Sequence, residues 1–100
     1  MKMIDVTNSH SKLVAQQLEN TDAQFVRVYS LGQTTVIFTR AAAHIEILLI
    51  NKQRNIKSTE LDFTLEYLRR NHDLTFSKED VDVIQLKGAV ELSVKLHPVT

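Results

Sequence analysis

Gln24-Phe25-Val26-Arg27-Val28-Tyr29-Ser30-Leu31-Gly32-Gln33-Thr34-Thr35-Val36-Ile37-Phe38-Thr39-Arg40 reads as two β-strands joined by a tight turn. Both flanks are dense in β-branched and aromatic residues, which fit a pleated, half-buried surface. Gly32-Gln33 puts glycine at the first loop position, where a type II′ hairpin turn prefers it. Two registers are open. A two-residue loop pairs Tyr29 with Val36, Arg27 with Phe38 and Phe25 with Arg40, so one face alternates aromatic rings and guanidinium groups. Val26, Val28 and Ile37 then fall on the opposite face. A three-residue loop puts Val26, Val28, Val36 and Phe38 together and leaves Phe25, Arg27, Tyr29 and Ile37 on the other side. In either register both faces of the sheet carry large apolar groups.

Outward from the hairpin, Met3 to Val6 reads as a short first strand. Asn8 and Ser9 are good N-caps for a helix that runs to Asn20, with Leu13, Val14 and Leu18 on one face. Asn20-Thr21-Asp22 is a stop and turn. After the hairpin, His44 to Ile50 is a third β-run whose continuous apolar end suits a central strand. A polar loop follows, and Ser58 or Thr59 opens a second helix, where Thr59 and Asp62 resemble a capping box. Leu61, Leu65 and Leu68 form its buried stripe, Arg69 and Arg70 suit its C-terminal dipole, and Asn71 ends it. Residues 74–86 are ambiguous between a short helix capped by Ser77 and Asp80 and a strand; the short helix is the expectation. Ala89 to Leu96 alternates cleanly as a last strand, and Pro98 stops it. The order β-α-β-β-β-α-(α)-β predicts one α+β domain over residues 1–100. Its sheet would be mainly antiparallel, with four or five strands and two main helices on one face, a ferredoxin-like variant.

Composition narrows the function. The chain has 100 residues, with 12 basic and 12 acidic side chains for a net charge of zero. Each half is balanced too, four of each sign in residues 1–50 and eight of each in 51–100. This balance argues against nucleic acid as a partner, since phosphate binding rests on an excess of Lys and Arg. The absence of Cys rules out thiol chemistry and disulfides and suits a cytoplasmic location. Asp5 interrupts any apolar leader, and the longest apolar run, Ile47 to Ile50, is far short of a membrane helix. With Gly32 and Gly88 alone among glycines, backbone has little room to approach a nucleotide. No nucleophile motif is present, so no catalytic residue is expected.

Three groups of side chains remain as candidates. Phe25, Arg27, Tyr29 and Phe38 would form an interaction face, left uncovered by two helices on the other side of the sheet, that makes a homodimer or binds a partner protein. His44 and Glu46, two apart on one strand, share a face and could serve a small ligand or minor enzymatic site; two ligands are too few for zinc, and neither metal nor cofactor is expected. Lys52, Arg54 and Lys57 make a basic loop, and Arg69 and Arg70 would join them in a weak phosphate or RNA site if the helix returns. The leading expectation is a non-enzymatic binding or regulatory module that self-associates.

Met3-Ile4-Asp5-Val6-Thr7-Asn8-Ser9, Leu18-Glu19-Asn20-Thr21-Asp22-Ala23 and Val28-Tyr29-Ser30-Leu31-Gly32 resemble a small family of uncharacterised proteins from lactic-acid bacteria and their relatives. Its members are about this long, so the resemblance spans nearly the whole chain. It implies a domain of unknown function in a bacterial cytosol and carries over no site.

Overall fold

Gly32 takes φ +59°, and Leu31 faces Thr34 across it, so the loop is the two-residue one. The computed structural model describes residues 1–20, 22–42, 44–86 and 90–97. Strand β2 (Ala23–Leu31) and strand β3 (Thr34–Ala41) pair antiparallel with Tyr29 opposite Val36, Arg27 opposite Phe38 and Phe25 opposite Arg40. A bulge between Ala23 and Phe25 is the one irregularity in that pairing. Short β1 (Met3–Asp5) pairs with β2, and β4 (Ile45–Ile50) pairs with β3. Strand β6 (Glu91–Leu96) lies on β4, and β5 (Val81–Leu86) closes the far edge. The result is one antiparallel sheet of six strands in the order β1-β2-β3-β4-β6-β5.

The α+β class and the antiparallel sheet agree with the sequence reading; three details differ. Residues 81–86 form a strand, and the Ser77–Asp80 cap closes only a single 3₁₀ turn over Lys78–Asp80, with Ser77 Oγ donating to Asp80 Oδ2 at 2.9 Å. Val81, Val83 and Ile84 are β-formers, and the free side of β6 offers them a ladder that a three-residue turn cannot match. The sheet therefore has six strands in place of four or five. Ferredoxin-like topology survives in one half only: β4, helix α2 (Ser58–Asn71) and β5 form a split β-α-β with β6 inserted between the strands. The other half is a meander. The expected turn at Thr21, strand start at Ala89 and stop at Pro98 lie outside the described residues.

The helices also occupy opposite faces. Helix α2 covers Val36, Phe38, Ile47, Leu49, Leu92, Val94 and Leu96, the main core, through Leu61, Leu65 and Leu68. Helix α1 (Ser11–Asn20), entered by a 3₁₀ turn over Thr7–His10, packs on β2 and lies over the other side, where Val26, Val28 and Ile37 are buried. Gln17 of α1 shares a shallow depression with Ile37, Thr39, Glu46 and Leu48 on that side. Because every strand of a sheet apolar on both faces must be covered twice, one helix per face is the better use of two. The cover is incomplete: α1 stops short of β6 and β5, and its own Leu18 is 45% exposed.

Candidate functional site

Loop geometry at the two ends of α2 places most of the polar side chains that the sequence singled out. At the N-terminal end Asn51 is fully buried and its Oδ1 accepts the backbone N–H groups of Gln53 (2.9 Å) and Arg54 (3.1 Å). This Asx turn folds the loop back so that Arg54 reaches Glu60. Glu60 is buried, and its carboxylate takes four donors: Arg54 Nη1 at 2.6 Å and Nη2 at 3.1 Å, the Lys57 N–H at 3.0 Å and Thr34 Oγ1 at 2.8 Å. Asn51 Nδ2 in turn donates to Thr34 Oγ1 at 3.1 Å. The helix cap is thus Glu60 on Lys57, two residues earlier than Thr59 and Asp62 suggest. The Arg54 guanidinium, with Lys57 and Thr34, holds the Glu60 carboxyl at about 2, well below its ordinary value.

The expected anion site is not assembled. Arg54 is committed to Glu60, while Arg69 and Arg70 both reach Glu66, at 2.7 and 2.9 Å. The two groups sit at opposite ends of a 14-residue helix, about 20 Å apart. Lys52 is exposed in the loop.

At the C-terminal end the chain turns sharply. Asp73 adopts φ +52°, and the Leu74 N–H bonds to the Arg69 carbonyl at 3.0 Å, a Schellman closure with Asp in the left-handed position. Leu74 is buried beneath the turn. This places His72 over the hairpin. Its ring stacks on Phe38 at 4.3 Å and 19°, meets Phe25 edge-on at 5.8 Å, and its Nε2 hydrogen-bonds Tyr29 Oη at 2.8 Å. Arg27 lies over the Phe25 ring, Cζ 4.7 Å from its centroid.

Phe25, Arg27, Tyr29 and Phe38 therefore do share a face, but it is the covered one. Phe38 and Tyr29 are buried under the end of α2, so they are core rather than an open interaction surface. Coverage depends on which face each helix chooses, and α2 chose this one. Phe25 and Arg27 remain half-buried at the margin, beside exposed Arg40. His72 is the residue that sequence reasoning missed; a histidine just past a helix end carries no periodic signal.

The electrostatics of this cluster follow from burial. Desolvation first, then Arg40 and Arg27, press the His72 pKa below its ordinary value, with Asp5 opposing. Burial, Asp5 and Tyr67 push the Tyr29 phenol up to about 12. Both partners of the bond are uncharged at neutral pH. Asp5 itself is turned to Thr7, whose Oγ1 and N–H donate to it at 2.6 and 2.9 Å and keep it ionised.

His44 Nε2 and Glu46 Oε1 are 3.0 Å apart on the α1 face, both partly exposed, with Lys95 Nζ 4.0 Å from the same oxygen. The pair forms as its spacing suggests, and a cation from β6 joins it. Among the described residues no group of three His, Cys, Asp or Glu is placed to hold a metal ion.

The free edge at β5 stands where the sequence predicts a short helix. Val83 and Ile84, on opposite faces, are 45% and 50% exposed. Val83 lines a groove of about 520 Å³ between α2 and β5 with Leu61, Leu65, Phe76 and Val81. Ile84 continues across Ser93 to Leu48 on the half of the other face beyond α1.

A family profile described as "Domain of unknown function (DUF1827)" matches residues 1–95. Among solved structures, that of a conserved protein of unknown function from Streptococcus thermophilus LMG 18311 is 32% identical, covers 100% of this chain and 99% of its own, and superimposes with a TM-score of 0.86. No curated protein matches. Both findings meet the expected resemblance to a family of unknown function, and Streptococcus thermophilus is a lactic-acid bacterium. No described helix is long and apolar enough to cross a membrane.

Proposed function

The chain belongs to the DUF1827 family, whose description names no activity, and we propose from its geometry that it is a non-enzymatic interaction module of the bacterial cytoplasm that self-associates through β5. The observation that carries this reading is an unguarded edge. A sheet edge presents a row of unpaired N–H and C=O groups, and proteins blunt such edges with Pro, Lys, bulges or brevity. β1 is brief, three residues long and ending in Asp5. β5 runs six residues, Val-Asp-Val-Ile-Gln-Leu, with no Pro, no Lys and no break in its register with β6, and its one charge, Asp82, lies 3.7 Å from His97. Val83 and Ile84 are exposed, one on each face.

A second copy fits this edge. A two-fold axis perpendicular to the sheet pairs β5 with β5 antiparallel and extends the sheet across the interface. It keeps both α2 helices on one side and sets Val83 against Val83, so the two apolar grooves open onto each other. A net charge of zero puts no long-range repulsion in the way. The Cys-free sequence supports the reducing compartment.

Sedimentation velocity of the untagged protein tests the reading over a range from about 1 µM to about 1 mM. The expected result is a monomer–dimer equilibrium that Val83→Lys shifts to monomer with an unchanged circular dichroism spectrum. A monomer throughout, or a dimer indifferent to Val83→Lys and Ile84→Lys, overturns it.

A further inference from the structure

At the other end of the sheet, Arg27 and Arg40 flank the Phe25 ring, Arg27 two residues along the same strand and Arg40 directly across on β3. Arg27 lies on the ring face. Among the described residues neither guanidinium is ion-paired with a carboxylate. Asp5 attracts Arg27 without pairing with it, and accepts both Thr7 donors on Oδ1. Elsewhere in the molecule arginines are answered: Arg54 by Glu60, Arg69 and Arg70 by Glu66. His72 completes the group. Its Nε2 is used by Tyr29, and its Nδ1 has no partner among the described residues. Two like charges gathered on one face repel each other, and an anion between them removes that repulsion.

We propose that Arg27, Arg40 and His72, arranged around Phe25, bind a phosphate group. Guanidinium groups offer planar, paired donors that match phosphate oxygens, and two of them balance a dianion. The half-buried Phe25 ring gives an apolar wall beside the charges, which suits a phosphate monoester with an aromatic or otherwise apolar substituent. The groups facing His72 are Tyr29, Arg27 and Asp5 from β2 and β1, and Arg40 and Phe38 from β3. Tyr67 of α2 stacks edge-on against Tyr29 at 5.6 Å. An anion that offsets Arg27 and Arg40 raises the His72 pKa, and by linkage binding strengthens as His72 gains a proton.

Amide and His72 ring shifts in ¹H–¹⁵N and ¹H–¹³C NMR spectra, titrated with inorganic phosphate, phenyl phosphate and sodium chloride at matched ionic strength, test the site. Saturable shifts confined to residues around Phe25, Arg40 and His72 are expected with phosphate and not with chloride. Arg40→Gln, at an exposed position, is expected to weaken binding about tenfold, whereas Lys52→Gln in the distant basic loop leaves it unchanged. Tighter binding of phenyl phosphate assigns an organic monoester, and equal binding assigns free phosphate. Loss of affinity in Lys52→Gln equal to that in Arg40→Gln, or shifts that never saturate, overturns the proposal. Arg27→Gln serves as a second variant, with its spectrum reporting whether the fold is intact.

Discussion

The two ends of α2 handle charge in opposite ways. At the first, Glu60 is buried and every lone pair it presents has a donor: two from Arg54, one from the Lys57 backbone, one from Thr34. At the second, Arg27 and Arg40 gather beside a neutral imidazole, and neither is ion-paired among the described residues, Asp5 attracting Arg27 only at longer range. A closed network fixes a loop and has nothing left to give a ligand. An open cluster costs stability where it stands and is worth retaining only if something outside the chain completes it. The same helix thus carries a structural end and a receptive one.

The largest test of this contrast is Glu60→Ala. Removing the carboxylate strands Thr34 Oγ1, the Lys57 N–H and a guanidinium, and is expected to cost about 2–4 kcal/mol in urea unfolding. Acid titration breaks the same network without a mutation. The folded-state Glu60 pKa of about 2 lies below the ordinary 4.5, so its contribution is complete above pH 4.5 and is lost as pH falls toward 2. The loss is about 2–3 kcal/mol, and a Glu60→Gln variant should show a correspondingly flatter stability profile over that window.

Asp73→Gly sharpens the other end. Asp73 holds φ +52°, which glycine adopts freely, so the change is expected to stabilise by about 0.5–1 kcal/mol and to leave the His72 stack in place. Thermal unfolding reads the gain, and a loss would mean that the Asp side chain itself ties the turn. Arg40→Gln is expected to change stability least, within about 0.5 kcal/mol, while raising the His72 pKa toward its ordinary value in an NMR titration. That raised pKa weakens the acid sensitivity of the site. A lowered His72 pKa makes stability fall as pH drops below about 6.5, because the unfolded chain takes up the proton first.

Much of this was legible in the letters, and the remainder has identifiable causes. Gly32-Gln33 disclosed the hairpin because a II′ turn demands positive φ at a residue that tolerates it. The register did not follow from it: both loop lengths satisfy the alternation, and only the pairing of Leu31 with Thr34 brings Phe38 to the face of Phe25, Arg27 and Tyr29. Their exposure did not follow, since alternation tells which side chains share a face and not which helix lands there. Val81-Asp82-Val83 is too short to declare a strand; the ladder it joins belongs to Glu91–Leu96. His72 is visible only after Asp73 turns the chain, and Asp gives less notice of a left-handed turn than Gly or Asn. A helix-start glutamate such as Glu60 is commonplace and carries no signal of its own; Asn51, nine residues earlier, is what makes it a buried hub.

The place of β6 between β4 and β5 governs how the domain must assemble. Residues 3–50 can zip into a four-stranded meander from near neighbours, but the apolar side of β4 then waits with one flank open until residues 91–96 arrive. β5 has no partner before that moment either, because its ladder is β6 alone. One strand of high sequence separation closes both gaps together, a contact whose loop-closure cost weighs against fast folding. Until it docks, Ile45–Ile50 is an apolar strand with a bare edge, the kind of segment that chains in a crowded ribosome exit vestibule share with one another unless chaperones intervene.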